Sequence, residues 1–238
     1  MAELTLNAGD RPWIGEARAG ALTILPAVVA AVPFGLLLGA LAARKGLSAL
    51  EVALMSGTVF AGAAQFVAVD LWRNPVPVAA LLLATAMVNV RHLLMGAALR
   101  PHVRGFPPGT AYAGLFLMAD EVWALALSRA VDRPLTLAFW FGLGGALYPA
   151  WIASTTAGAV FGAALDDPAR FGLDFAFVAI FIGLLRGLWR GRSSALPWVG
   201  AAAAAVIVHA LVPGAWYVAA GGLTGLALGA LRPAETRP

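Results

Sequence analysis

Apolar residues run in long blocks separated by short polar punctuation, and the blocks have the length of membrane-crossing helices. Charge-poor runs cover 19–43, 52–69, 134–165 and 193–231, the last interrupted only by His209. About 20 apolar residues of helix cross a hydrocarbon core. Loops read from charge and from Pro/Gly clusters divide the chain into spans near 17–43, 48–71, 75–98, 109–130, 135–165, 172–190, 194–211 and 214–231. The pattern therefore predicts an all-α polytopic membrane protein of seven or eight transmembrane helices, folded as a single transmembrane domain over residues 1–238. The 135–165 stretch is too long for one crossing: as one helix it would measure about 46 Å against a core of about 30 Å. A break is expected there, at Gly144-Gly145 and Pro149. The first apolar stretch is too long for a signal-peptide core, and its Pro26, Pro33, Gly35 and Gly39 suit a retained helix.

Composition agrees, with 61% hydrophobic and 12% charged residues, about half the charged share of a soluble domain. The sequence pI near 10.3 could suggest a nucleic-acid partner. The sixteen basic residues are instead dispersed, mostly at span ends, which is the signature of positive-inside anchoring. No nucleic acid is expected. Trp72, Trp189, Trp198 and Trp216 read as interfacial anchors. The absence of cysteine excludes disulfides, thiolate metal sites and cysteine nucleophiles. There is no H-E-x-x-H zinc motif, no phosphate-binding Walker loop and no G-x-S-x-G elbow. No catalytic residue, metal or cofactor is therefore expected, and an intramembrane aspartyl protease would need carboxylates on two helices.

The two halves of the chain share a spacing. Pro26, Gly35 and Gly39 recur as Pro149, Gly158 and Gly162, each 123 residues later. Repeats over 17–131 and 135–231 are one reading and chance is the other, since the chain holds 27 glycines. Arg44-Lys45, Arg100/Arg104 and Arg186/Arg190/Arg192 read as cytoplasmic, and Asp166-Asp167 as external. Simple alternation of eight spans cannot satisfy all four. A broken or re-entrant 135–165 segment would, and the repeats would then be inverted.

Four polar constellations could carry chemistry. Asp120-Glu121 follows fifteen uncharged residues and precedes seven more, and a carboxylate at that depth tends to face a bundle interior and mark an ion or proton path. The plainer alternative is a solvated pair at the headgroup boundary. Helical spacing separates the two carboxylates by about 100°, so one lines a cavity while the other meets Arg91, Arg129 or water. In Phe60-Ala61-Gly62-Ala63-Ala64-Gln65-Phe66, small residues and one amide interrupt an apolar run. This reads either as close helix packing or as an unwound helix whose freed backbone groups bind substrate. Asn89 and His92 share one helical face, and His92 is either an interfacial residue or a proton relay. Arg91 points elsewhere, toward headgroups or a partner subunit.

Taken together, Pro33-Phe34-Gly35, the stretch from Gly46-Leu47-Ser48 to Gln65-Phe66, Asn89-Val90-Arg91-His92-Leu93-Leu94-Met95-Gly96, Asp120-Glu121 and Gly172-Leu173-Asp174-Phe175-Ala176 resemble the AzlC/YgaZ family. The resemblance runs from about Gly20 to Leu231 in order and spacing. It implies a multi-pass protein of the bacterial inner membrane that exports valine-like branched-chain amino acids with a small hydrophobic subunit of the AzlD/YgaH type. Ala119 stands where that family often has Thr, and Tyr148-Pro149 replaces a more usual polar pair, so substrate preference could differ. On this reading Phe60, Gly62, Gln65, Phe66, Asn89 and Met118 line the substrate, its carboxylate meeting backbone N–H groups near 62–65. Asp120, Glu121 and His92 carry the coupled proton, and Arg91, Pro26, Pro33 and Pro149 are structural or face the partner. A channel, a structural membrane subunit and the permease of an ATP-driven system are the alternatives; the last would need a coupling helix, and no loop here exceeds about ten residues.

Overall fold

The computed structural model describes residues 13–162, 182, 189, 191, 195–212 and 216–231. The described residues are overwhelmingly helical and contain no strand, as the hydropathy pattern predicts. Ten helices are defined among them: α1 (Trp13–Arg44), α2 (Ala49–Thr58), α3 (Gly62–Leu71), α4 (Val78–Asn89), α5 (Arg91–Val103), α6 (Pro108–Phe116), α7 (Asp120–Asp132), α8 (Leu137–Gly162), α9 (Ala195–Leu211) and α10 (Trp216–Ala230). Among the described residues, three helical stretches are long and apolar enough to cross a membrane: α1, Val78–Val103 and α8. The chain is a polytopic membrane protein. The span expected at 172–190 and the charges at Asp166-Asp167, Arg186, Arg190 and Arg192 lie outside the described residues, apart from the isolated positions 182 and 189.

The chain divides into two compact units. The first takes Met1–Gly62 and Arg91–Asp174, the second Ala63–Val90 and Phe175–Pro238.

The first unit is built on α1 and α8, which lie side by side along most of their length. Glycine permits the approach: a Cβ at Gly20 would meet the Phe139 carbonyl, at Gly35 the Ser154 side chain, at Gly39 the Thr155 carbonyl, at Gly158 the Leu36 carbonyl and at Gly162 Ala40. Without side chains at these points the two backbones pack directly, as small residues allow inside membranes. Partner numbers rise together along both helices, so α1 and α8 run parallel. Gly35, Gly39, Gly158 and Gly162, four of the six residues of the 123-residue spacing, thus meet across one interface.

Two expectations are corrected here. The 135–165 stretch does not break at Gly144-Gly145 or Pro149; α8 is continuous from Leu137 to Gly162. Its glycines serve close packing, Gly142 against Ala17 and Gly144 against Leu117. Pro149 removes only one ladder bond, the one to Gly145, beside which there is open space. The opening helices of the two sequence copies point the same way, where inverted repeats require opposite directions. In α1, Pro26 and Pro33 are likewise held inside a continuous helix.

Trp140, Leu143, Leu38 and Ile24 are fully buried in this unit. α1 closes in a Schellman turn, with Gly46 N–H on the Ala43 carbonyl (2.9 Å) and Leu47 N–H on the Ala42 carbonyl (3.1 Å). Gly46 has φ +89°, the left-handed conformation that glycine adopts freely. Ser48 then opens α2 with a capping box: its hydroxyl accepts from Glu51 N–H while Glu51 Oε2 accepts from Ser48 N–H at 2.7 Å. The N-terminus of α1 is tied to α7 and α8 by a nearly buried ion pair. Arg129 donates to Glu16, Thr136 Oγ1 donates to the same carboxylate at 2.9 Å, and the guanidinium lies 4.0 Å from the Phe139 ring centre.

In the second unit α9 and α10 form an antiparallel pair. Gly200 meets Leu228 and Thr224, while Gly221 and Gly225 meet Ala201. α10 also rests on α4.

Candidate functional site

Two of the expected spans are broken near their middles. α2 ends at Thr58 and α3 begins at Gly62; α6 ends at Phe116 and α7 begins at Asp120. Each gap is three residues long, Val59-Phe60-Ala61 and Leu117-Met118-Ala119. The two are closed alike: Ala61 N–H donates to the Val59 carbonyl at 2.8 Å and Ala119 N–H to the Leu117 carbonyl at 3.1 Å. The central side chain of each, Phe60 and Met118, is buried. Of the stretch 60–66, Phe60 and Ala61 lie in the gap, while Gly62 to Phe66 are helical and Gly62 packs closely on Trp151. The second gap was not foreseen, since 109–130 reads as one span. Val78–Val103 is interrupted more gently, because Val90 keeps helical dihedrals between α4 and α5.

A stripe on α8 at helical spacing, Gly144, Tyr148, Trp151 and Thr155, holds the two gaps. Gly144 faces Leu117. The Tyr148 hydroxyl donates to the Gly57 carbonyl at 2.6 Å, satisfying one acceptor that the end of α2 leaves open. The same ring packs edge-on against Phe60 (centroids 5.2 Å apart) and Phe116 (5.7 Å). The Trp151 indole lies against Gly62, where an added Cβ would sit 3.1 Å from the ring. The Thr155 and Ser56 hydroxyls share a buried hydrogen bond of 2.8 Å. Tyr148 thus touches both broken helices. The sequence marks Tyr148 only through Tyr148-Pro149, a departure from the family's usual polar pair; the available signal for its bracing role is a phenol in an otherwise apolar stretch.

Asp120 and Glu121 form the first turn of α7, whose N-cap Ala119 supplies no side-chain hydrogen bond. Carboxylates in that position favour the positive end of the helix. Arg91 Nη1 meets Asp120 Oδ2 at 2.8 Å, with about a third of each side chain exposed. Of the partners open to the acidic pair, Arg91 takes Asp120, while Arg129 is engaged by Glu16. Glu121 is half-buried. Trp123 Nε1 donates to the Met95 carbonyl at 3.1 Å, fastening α7 to α5 beside the ion pair. In the first unit the structure therefore gathers Phe60, Gly62, Met118, Asp120 and Arg91 around the two gaps and the α5–α7 contact. His92 follows Arg91 on α5 and is half-buried. Gln65, Phe66 and Asn89 belong to the second unit; Gln65 is fully buried and Asn89 is the last residue of α4. Pro26, Pro33 and Pro149 sit within helices of the first unit. No group of three or more His, Asp or Glu side chains that could hold a metal occurs among the described residues.

A family model described as AzlC protein matches residues 26–165, from Pro26 in α1 to just past the end of α8. The chain belongs to the AzlC family. Both helix gaps, the Arg91–Asp120 pair and the α8 stripe fall inside the match. An uncharacterized membrane protein of Archaeoglobus fulgidus is 29% identical over 74% of this chain and 77% of its own length. The branched-chain amino acid transport protein AzlC of Bacillus subtilis is 28% identical over 85% of this chain and 80% of its own. The inner membrane protein YgaZ of Escherichia coli is 28% identical over 71% and 72%. No solved structure matches the AzlC-family chain described here.

Proposed function

We propose that this AzlC-family chain is the large subunit of a secondary transporter that exports branched-chain, valine-like amino acids. The observation that carries the reading is the pair of three-residue helix gaps braced by Tyr148, with carboxylates at the start of α7. Interrupted helices expose backbone groups at membrane depth, where they are tolerated if they are buried in protein or line a cavity. They are the usual substrate and ion sites of secondary transporters. The name of the Bacillus subtilis relative supplies the substrate class.

In this reading the aliphatic side chain of the substrate lies against Phe60 and Met118 beside Gly62, all in the first unit. Gln65, Phe66 and Asn89, in the second unit, are substrate-binding candidates on their residue types alone. Asp120, Glu121 and His92 are the proton-coupling candidates, and a small hydrophobic subunit of the AzlD/YgaH type completes the exporter in the inner membrane. The test is transport by proteoliposomes holding the chain with that subunit. Valine movement that is saturable, driven by an imposed pH gradient and indifferent to ATP is expected. Full-rate proton-driven transport by Glu121→Gln and Asp120→Asn would remove the coupling role, and dependence on ATP would overturn the secondary-transporter reading.

A further inference from the structure

Arg91 and Asp120 are the first residues of α5 and α7, and their ion pair is open on one side. About a third of each side chain is exposed, whereas Met118, two residues before Asp120, and Val122, just after Glu121, are buried. A solute can therefore reach the pair while its surroundings stay apolar. The guanidinium is also not saturated. Its Nη1 holds Asp120, yet its Nε is buried with no hydrogen-bond partner. A guanidinium offers five donors in a planar fork that matches a carboxylate along one edge, and an orphaned buried donor is a cost that an arriving acceptor removes.

We propose that the Arg91–Asp120 pair is the reader of the amino-acid backbone: the substrate carboxylate takes the unsatisfied Nε edge of Arg91 as the guanidinium turns toward it, and the substrate ammonium takes Asp120. The proposal rests on the amino-acid transport reading above and deepens it. A zwitterion brings both charges at once, so it replaces one protein ion pair with two substrate-bridged ones and strands neither side chain. A ligand with only one of the two charges leaves either Arg91 or Asp120 uncompensated in a poorly solvated place, which is costly. Selectivity for free α-amino acids follows from that mismatch. The carboxylate is thereby assigned to a side chain, where the sequence pattern pointed to backbone N–H groups at 62–65.

The experiment is competition for radiolabelled valine on the full chain with its small subunit in lipid nanodiscs. The competitors are valine, valinamide, which lacks the carboxylate, and 2-hydroxyisovalerate, which lacks the ammonium. The wild type should prefer valine over each by about tenfold or more, equivalent to about 1.4 kcal/mol. Arg91→Gln should close the gap to valinamide, and Asp120→Asn the gap to the hydroxy acid. The double variant R91Q/D120N leaves no unpaired charge that could unfold the protein, and it should bring all three ligands within about threefold. A double variant that binds valine and keeps the wild-type preferences would overturn the proposal while leaving the transport reading intact. A wild type that binds no amino acid would overturn both.

Discussion

At Gly158 a single added methyl group would meet the Leu36 carbonyl, and at Gly39 it would meet the Thr155 carbonyl and the Ala159 nitrogen. These neighbours are backbone, so neither can swing aside. Gly158→Ala should therefore destabilise the protein by about 1–3 kcal/mol, the usual cost of overpacking. Gly145→Ala, with nothing within 4 Å, should leave the thermal midpoint of the detergent-solubilised protein unchanged; equal loss in both variants would contradict the packing described. Glu16 is under a different constraint, holding Arg129 and Thr136 in a nearly buried cluster. Glu16→Gln leaves the guanidinium without its counter-charge, and about 3–5 kcal/mol should be lost, measured as a fall in the unfolding midpoint that Glu16→Gln/Arg129→Leu partly restores. Residue spacing alone exposed the glycine series, because a 123-residue offset is visible in one dimension. It could not show that these glycines lie in one helix–helix interface. The Glu16–Arg129 pair joins positions 113 apart, and nothing in local spacing announces it.

At the scale of elements, helix gaps occur where breaker residues are absent, and a helix persists where they are abundant. Val59-Phe60-Ala61 and Leu117-Met118-Ala119 contain neither glycine nor proline, whereas α8 runs unbroken through Gly144-Gly145 and Pro149. Glycine and proline mark where a helix can yield; packing decides whether it does. In α8 the glycines are used in approach to α1 and Leu117, and the continuous helix buries Trp140, Leu143 and Leu147. The gaps are stabilised from outside, through Tyr148 and the buried Phe60 and Met118, and such support is invisible to a reading of local propensity. Hydrogen exchange should be measurably faster at residues 59–61 and 117–119 than at 151–158, since the gap amides lack a continuous ladder. Uniform protection across these segments would mean that the gaps close in the membrane. Tyr148→Phe keeps both ring contacts but releases the Gly57 carbonyl. A loss of about 0.5–1.5 kcal/mol is expected, with a further rise in exchange confined to 57–61.

For the molecule as a whole, the class was legible from hydropathy and the direction of its two longest helices was not. Charge reports on loops and not on which helices become neighbours. The parallel α1–α8 pair can be checked directly, because the chain contains no cysteine. Trp13→Cys/Phe141→Cys, at positions whose rings lie 6.5 Å apart, should cross-link with a short bis-maleimide, while Trp13→Cys/Phe161→Cys should not; the reverse pattern would require antiparallel helices. The arrangement also fixes a parity. Two membrane-crossing helices that point the same way require the chain between them to traverse the bilayer an odd number of times. Hydropathy reads one crossing each at 48–71, 75–98 and 109–130, and three crossings would meet that requirement. On that count Arg44-Lys45 and Arg100/Arg104 would emerge on one face, two crossings apart, and positive-inside anchoring would make it the cytoplasmic one. The amino-terminal end of α1, with Glu16 and its arginine partner, would then lie at the opposite surface.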